Sequence, residues 1–211
     1  MARSRSDPAA RRSALAATAL LIALLAGPAC AVPASPPSAA EDACPADTTP
    51  PAGTRYPCAL TALPRALPGI PEGDRTYVNR TYTRILRATQ AKLVLLKALE
   101  DGSDVPAALT RYQDATRRLA EQLAAEPAPP GLAPFQEDVL QALALQQAFF
   151  AKAVPLRQSG RSMGDVYQIA EGRQVSARLI SAWGRMQGRY HSWAPATRDS
   201  IYHHLCALDL F

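Results

Sequence analysis

The chain has 211 residues, which suffices for one domain of ordinary size and leaves room for a second only as a short attachment. Apolar residues make up 48%, with only four Phe and two Trp, and this composition favours helices over a sheet-rich fold. The formal charge is +5, but residues 1–30 hold four Arg and one Asp, so the rest has 19 basic and 17 acidic residues. At this balance a nucleic-acid partner loses its main support, so we expect none.

Residues 1–31 are predicted to be a signal peptide. Four arginines lie within residues 1–13, an uncharged run of 13 residues rich in Leu and Ala follows at 14–26, and Gly27-Pro28 then precedes small residues. This order resembles the charged, apolar and processing regions of a secretory precursor. A run of 13 residues is shorter than the roughly 20 that a helix needs to span a bilayer, so export is favoured over a retained signal anchor.

Cys30 is a candidate for lipid modification, because its surroundings partly resemble the lipobox of bacterial lipoproteins. Gly27 stands where lipoproteins usually have Leu, and small residues at 29–31 and 32–34 also offer ordinary cleavage sites. Lipidation and simple cleavage therefore both stay open. A lipid on Cys30 is the only attachment to a membrane that we expect.

Residues 32–74 are predicted to be an extended tether, because Pro, Ala, Ser, Thr and Gly dominate them without a sustained apolar period. Cys44 and Cys58 lie in this segment, and an exported protein meets an oxidising compartment. We expect a disulfide between them, which closes a loop of about 15 residues and contributes about 3 kcal/mol. The alternative is a disulfide from either of them to Cys206.

Residues 75–211 are predicted to be a helical bundle. A first helix ends at Gly102, and Asp104 caps a second helix with Pro106 in its first turn. Apolar residues recur at helical spacing on one face of each. These positions are Val78, Tyr82, Ile85, Thr89, Leu93, Leu96 and Leu99 in the first helix, and Val105, Leu109, Tyr112, Thr116, Leu119 and Leu123 in the second.

Prolines in residues 126–134 end the second helix, and a third follows up to Pro155 and Gly160. Ser162 and Asp165 have the spacing of a capping box and are expected to open a long fourth helix that runs to about Ser192. The predicted apolar positions are Phe135, Val139, Leu143, Gln146, Phe150 and Ala153 in the third helix, and two adjoining arcs in the fourth: Val166, Ile169, Ala177 and Ile180, then Val175, Leu179, Trp183, Met186 and Tyr190.

A short fifth helix follows Pro195 and runs to about Leu208. Four helices of similar length, joined by short turns and each with one apolar face, predict an all-α fold. The expected architecture is an antiparallel four-helix bundle with the short C-terminal helix packed against it as a lid.

The fifth helix holds the candidate metal ligands. His203 and His204 are neighbours, about 100° apart around a helix, so they do not bind one ion together. Asp199, His203 and Cys206 share one stripe and offer oxygen, nitrogen and sulfur ligands to zinc or copper. The alternative has Asp199 paired with His203, and Cys206 as a small buried residue.

Catalytic and cofactor patterns are absent from the sequence. It contains no G-x-S-x-G, P-loop, H-E-x-x-H or Gly-rich dinucleotide motif, and no C-x-x-C-H for covalent haem attachment. Its carboxylates are scattered singly rather than spaced as an acid and base pair. We therefore predict a protein that is not an enzyme and that holds no cofactor.

Arginines form two stripes that are candidate contacts for an anionic partner, such as lipid headgroups, an acidic protein or an envelope polymer. The alternative is an ordinary solvated surface. The sequence thus predicts an exported protein of the periplasm or cell envelope that works as a non-catalytic binding or interaction module, with a periplasmic metal- or haem-binding bundle as the alternative. The arginines are Arg80, Arg84 and Arg87 in the first helix, and Arg178, Arg185 and Arg189 in the fourth.

Overall fold

Every helix in the described part of the chain lies after residue 71. The computed structural model describes Leu63 and residues 66–210, and in these residues it contains helices and no strand, so the prediction of an all-α fold is confirmed. The predicted signal peptide and most of the predicted tether lie outside the described residues. The helices are α1 (Glu72–Asp101), α2 (Val105–Ala125), α3 (Ala133–Gln158), α4 (Met163–Tyr167), α5 (Ala170–Arg189) and α6 (Pro195–Leu208).

The turn between α1 and α2 forms as predicted. Gly102 ends α1 with a φ of 71°, a left-handed conformation that glycine adopts without a steric penalty. The Asp104 carboxylate then accepts a hydrogen bond from the backbone N–H of Ala107 at 3.4 Å and caps α2. Because the turn is so short, α1 and α2 run back along each other and pack together.

The apolar faces of the first three helices are those that the sequence predicts. Every predicted position of α1 and α3 is buried, including Thr89 and Gln146. In α2, the predicted positions Tyr112, Thr116, Leu119 and Leu123 are buried, whereas Val105 and Leu109 are half-buried. The 3.6-residue period therefore identified the core side of each of these helices correctly.

Helix α3 is the most apolar helix of the bundle. Together with its preceding turn, as Pro130–Gln158, it is long and apolar enough to cross a membrane by length and composition alone, with a mean hydropathy of 1.2. Its buried face packs against α5 and α2. The core helix of a bundle passes the same test, so this finding is weak evidence for a membrane span.

The prediction of one helix from Ser162 to about Ser192 is wrong, because the chain breaks between α4 and α5. The capping box of Ser162 and Asp165 does form, at the start of α4. On one continuous helix, Val166 and Ile169 lie on the same face as Ile180, which is 69% exposed. An extended Ile169, with ψ of 121°, changes the direction of the chain and lets both Val166 and Ile169 enter the core.

Helix α6 forms part of the bundle wall. It packs against both α1 and α5, and it buries Ile201, His204, Leu205 and Leu208. Helix α3 in turn packs against α5 and α2, so the neighbours follow the order α1, α2, α3, α5 and α6, with α6 back against α1. Helix α6, which the sequence predicted as a lid on the bundle, therefore packs between α1 and α5.

The core also draws on the end of the predicted tether. Leu63, Leu67 and Ile70 are buried in the main hydrophobic cluster, and α1 begins at Glu72. The folded unit therefore starts earlier than the boundary at residue 74 that the sequence suggested. Proline-rich composition concealed these three residues, because they are held by tertiary contacts rather than by a regular period.

The C-terminal turn of α6 is fixed by polar side chains from inside the bundle. Lys92 of α1 is fully buried, and its Nζ donates hydrogen bonds to the carbonyl oxygen of Ala207 at 2.6 Å and to that of Asp209. Gln146 of α3 donates to the carbonyl oxygen of Leu208 at 2.5 Å. These donors satisfy carbonyl groups that have no partner within their own helix.

Candidate functional site

The arginines of α5 have acidic partners within the bundle. Asp138 of α3 is buried, accepts a hydrogen bond from Ser181 Oγ at 2.7 Å, and has Arg178 Nη1 at 3.5 Å. The Nε atom of Arg185 lies 3.6 Å from the same carboxylate. Two members of the predicted anionic-partner surface therefore join α5 to α3.

Arg189 makes a similar contact with α1. Its Nη2 atom lies 3.1 Å from the buried carboxylate of Asp74, which also accepts a hydrogen bond from the Tyr190 hydroxyl at 3.0 Å. Burial, reinforced by the hydrogen bond to Asp74, raises the pKa of Tyr190. The group joins the start of α1 to the end of α5.

The arginines of α1 share a carboxylate at the end of α2. Arg80 Nη1 lies 2.9 Å from one oxygen of Glu126, and Arg84 Nη1 lies 2.6 Å from the other. Arg87 is half-buried on the same helix. Arg80 and Arg84, like the three arginines of α5, thus have an acidic partner within the described part of the bundle. Docking of the six arginines to an anionic partner stays a prediction.

The structure does not bring the candidate metal ligands together. In residues 66–210, no group of three or more His, Cys, Asp and Glu side chains is placed to hold a metal ion. Asp199 accepts a hydrogen bond from Arg198 at 3.0 Å, His203 is exposed, and Cys206 is a free, half-buried thiol beside Leu86 and Leu93. Cys30 and the predicted Cys44–Cys58 disulfide lie outside the described residues.

The two adjacent histidines have different surroundings, as the helical geometry predicts. His203 is exposed, whereas His204 is 2% exposed. The Nδ1 atom of His204 donates a hydrogen bond to the carbonyl oxygen of Ser200 at 2.7 Å, because a carbonyl oxygen only accepts. Its ring packs edge-on against Tyr82, with the ring centres 5.8 Å apart. His204 is therefore a core residue.

A cluster of apolar side chains lies on the outer side of the contact between α5 and α6. We call Ile180, Trp183, Trp193 and Tyr202 the aromatic surface. The rings of Trp183 and Trp193 stack with their centres 5.4 Å apart, and the centre of the Tyr202 ring lies 5.2 Å from that of Trp183. Ile180 is 69% exposed and Tyr202 is 46% exposed, whereas Trp183 and Trp193 are half-buried and pack against the core.

Regular structure and a tight turn position the aromatic surface. Ile180 and Trp183 are three residues apart on α5 and so are neighbours on its surface. The backbone N–H of Ala194, next to Trp193, donates to the carbonyl oxygen of Pro68 at 3.0 Å. A Cβ atom on Gly69 would lie 2.1 Å from the Cα atom of Trp193, so only glycine allows this close approach. The rings are thus held on a rigid base.

Sequence reasoning missed this surface. Helical periodicity placed Ile180 and Trp183 on apolar arcs and assigned both arcs to the core, but periodicity does not tell which neighbouring helix covers an arc. Trp193 lies in a turn, where no period applies. The available signal was the position of the two tryptophans of the chain, one near the end of the fourth predicted helix and the other in the connection to the fifth.

A second surface feature is a groove of about 660 Å³ between α2 and α3. The buried residues Tyr112, Phe150 and Val154 lie along it. Arg117, which also lines the groove, binds Asp114 at 2.9 Å and Glu121 at 3.4 Å. The two carboxylates thus share one guanidinium group, so these three side chains carry a net charge of −1 and are paired with one another rather than with a ligand.

Comparison with known proteins gives no assignment for any of these surfaces. No protein-family model, no curated protein and no solved structure matches this chain. The surfaces therefore have to be judged by their physical properties. The arginines and the groove have charged partners within the protein, whereas the aromatic surface leaves large apolar side chains in water. The aromatic surface is for that reason the candidate functional site.

Proposed function

We propose that this protein is an exported component of the cell envelope that works as a non-catalytic interaction module, with the aromatic surface as its contact with a partner. The observation that carries the proposal is the exposure of Ile180, at 69%, and Tyr202, at 46%, beside two tryptophans. A contiguous patch of exposed apolar side chains is typical of interaction sites.

The chemistry of these residues suits binding. Each Å² of apolar surface that a partner covers stabilises the complex by about 25 cal/mol before the entropic costs of association. Trp and Tyr are over-represented among residues that contribute most to binding, since they bury a large area and have few rotatable bonds. Arg198 and Asp199 lie one turn before Tyr202 on α6 and supply a polar rim.

The buried carboxylates support a non-catalytic role. Asp74 and Asp138 each hold two helices together through Arg, Tyr or Ser side chains, as described above. A carboxylate held in this way has a structural role between two helices. The predicted signal peptide supports the location, and Cys30 remains the candidate for a lipid anchor in the envelope.

The export part of the proposal is tested by the mass of the native protein. We expect an N-terminus between Cys30 and Ser35, and a mass increase from a diacylglycerol group on Cys30 if the protein is a lipoprotein. A chain that retains Met1 or Ala2 in the cytoplasmic fraction would contradict export.

The interaction part is tested with a matched pair of variants. Tyr202→Ser removes the exposed ring of the aromatic surface, and Tyr167→Ser removes a ring of nearly equal exposure, 45%, on α4. Immobilised wild-type protein and Tyr167→Ser should capture the same component from envelope extracts, and Tyr202→Ser should capture less of it. Equal capture by all three proteins would refute the role of the aromatic surface.

A further inference from the structure

We propose that the aromatic surface is the docking site of a proline-rich strand, and that residues 37–62 of the same chain are its occupant. The inference shares the aromatic surface with the proposed function, but it concerns a contact within one molecule rather than a contact with an envelope partner. Four observations support it: where the described chain begins, the composition of residues 37–62, their charge, and their length.

The described chain begins beside the aromatic surface. Pro68 accepts a hydrogen bond from Ala194, and Gly69 touches the backbone of Trp193, so this part of the chain lies directly against one tryptophan of the surface. Leu63 is the first residue that the structure describes, and it is already buried in the core. The polypeptide that precedes Leu63 is therefore joined to the bundle five positions before Pro68, the residue that accepts the hydrogen bond from Ala194.

Residues 37–62 have the composition that aromatic surfaces recognise. They contain five prolines, at positions 37, 45, 50, 51 and 57, with two of them adjacent. Proline favours the polyproline II conformation, which is already extended and loses little entropy on docking. Grooves lined by aromatic rings bind such strands because proline rings pack flat against Trp and Tyr. Tyr202 offers an exposed ring of this kind beside the half-buried, stacked pair of Trp183 and Trp193.

Charge also favours the contact. Residues 37–62 contain three acidic residues and one basic residue, a net charge of −2. Residues 63–211 contain 18 basic and 14 acidic residues, a net charge of +4. Opposite net charges attract the segment to the bundle at low and moderate ionic strength.

Length places no restriction on the contact. A strand of 26 residues spans about 80 Å as polyproline II, which exceeds the roughly 45 Å of α1, the longest helix. A segment joined to its site by a short linker is present at an effective concentration in the millimolar range. A weak affinity of each proline for a ring is therefore enough to occupy the surface in the free protein, and an envelope partner that binds there displaces the segment.

The contact is tested by photo-crosslinking in the purified full chain. A p-benzoylphenylalanine at position 202 should crosslink within one molecule to a peptide from residues 37–62, and the same residue at position 118 should not. Position 118 is the control because Arg118 is exposed on α2, which packs against α1 and α3 rather than forming the aromatic surface. Crosslinks from position 202 to a second copy, or to no peptide of residues 37–62, would overturn the inference.

Tryptophan fluorescence gives an independent measurement, since the two tryptophans of the chain both belong to the aromatic surface. The triple variant Pro45→Ala, Pro50→Ala and Pro51→Ala should show a higher acrylamide quenching constant and a red-shifted emission. Pro106→Ala, at an exposed position in the first turn of α2, should change neither. An unchanged quenching constant in the triple variant would also overturn the inference.

The inference and the proposed function fail separately. Loss of envelope capture in Tyr202→Ser, together with no crosslink to residues 37–62, overturns the inference and leaves the proposed function in place. A crosslink to residues 37–62, together with equal capture by wild type and Tyr202→Ser, overturns the proposed function and leaves the inference in place.

Discussion

The two ends of residues 202–209 differ in which groups are buried and which are exposed. At the C-terminal turn, polar groups are buried and each carbonyl oxygen of Ala207, Leu208 and Asp209 accepts a hydrogen bond from a buried side chain. At Tyr202, apolar groups are exposed beside Trp183. Buried donors fix one arrangement of the helix, whereas exposed rings leave free energy available for binding. One helix therefore has a buried polar end and, on its outer side, the exposed ring that we propose for recognition.

The largest expected effect is at Lys92. Lys92→Met keeps the length of the side chain but leaves two buried carbonyl oxygens without their donor, at a cost of about 1–3 kcal/mol for each. Urea denaturation measures the change in the free energy of unfolding. The control is Lys97→Met, because Lys97 forms an exposed pair with Asp101 that contributes less than about 1 kcal/mol. Equal losses in the two variants would contradict the role of Lys92 at the C-terminal turn.

A core leucine provides the reference for apolar burial. Leu119 is 1% exposed, and Leu119→Ala should cost about 2–5 kcal/mol from lost burial and the cavity left behind. Leu109 is half-buried at the edge of the groove between α2 and α3, so Leu109→Ala should cost less. A loss below about 0.5 kcal/mol at Leu119 would refute the packing of α2.

The pH dependence of stability tests the environment of Asp209, at the buried end of this segment. Burial is the main cause that raises the pKa of its carboxyl group above the ordinary value of 3.8, although the Ser176 hydroxyl opposes the shift with a hydrogen bond. The folded state then binds the proton more tightly than the unfolded state, so the contribution of Asp209 is most favourable below pH 3.8 and falls as the pH rises through the folded-state pKa. Denaturation of wild type and Asp209→Asn at several pH values above about 4 measures this. The stability of wild type relative to Asp209→Asn should fall with rising pH, and a rising difference would contradict the shift.

The smallest effect on stability is expected at the aromatic surface. Ile180→Ser should change the free energy of unfolding by less than about 0.5 kcal/mol, since Ile180 is 69% exposed. It should nevertheless weaken capture of the envelope component. Leu179→Ser, one position earlier and 4% exposed, is the control for the inner side of α5 and should lose several times more stability. A large loss at Ile180 would mean that this face stabilises the fold instead of binding a partner.

Local chemistry in the sequence predicted most of the fold. The turn at Gly102 and Asp104, the capping box at Ser162 and the buried faces of α1 and α3 depend on residues within a few positions of each other. The different directions of His203 and His204 follow from the helical repeat alone. These features were predictable because backbone geometry and hydrogen bonding within a segment decide them.

Contacts between distant segments decided the rest. Four features depend on residues that are far apart in the chain. They are the break at Ile169, the burial of Leu63 and Leu67, the hydrogen bonds from Lys92 and Gln146 to α6, and the ion pairs of five arginines. A helical wheel shows which side chains share a face, but the neighbouring helices determine whether that face is covered. The aromatic surface therefore became visible only in the tertiary structure: Val175 and Leu179 meet the core, whereas Ile180 on the same helix meets solvent.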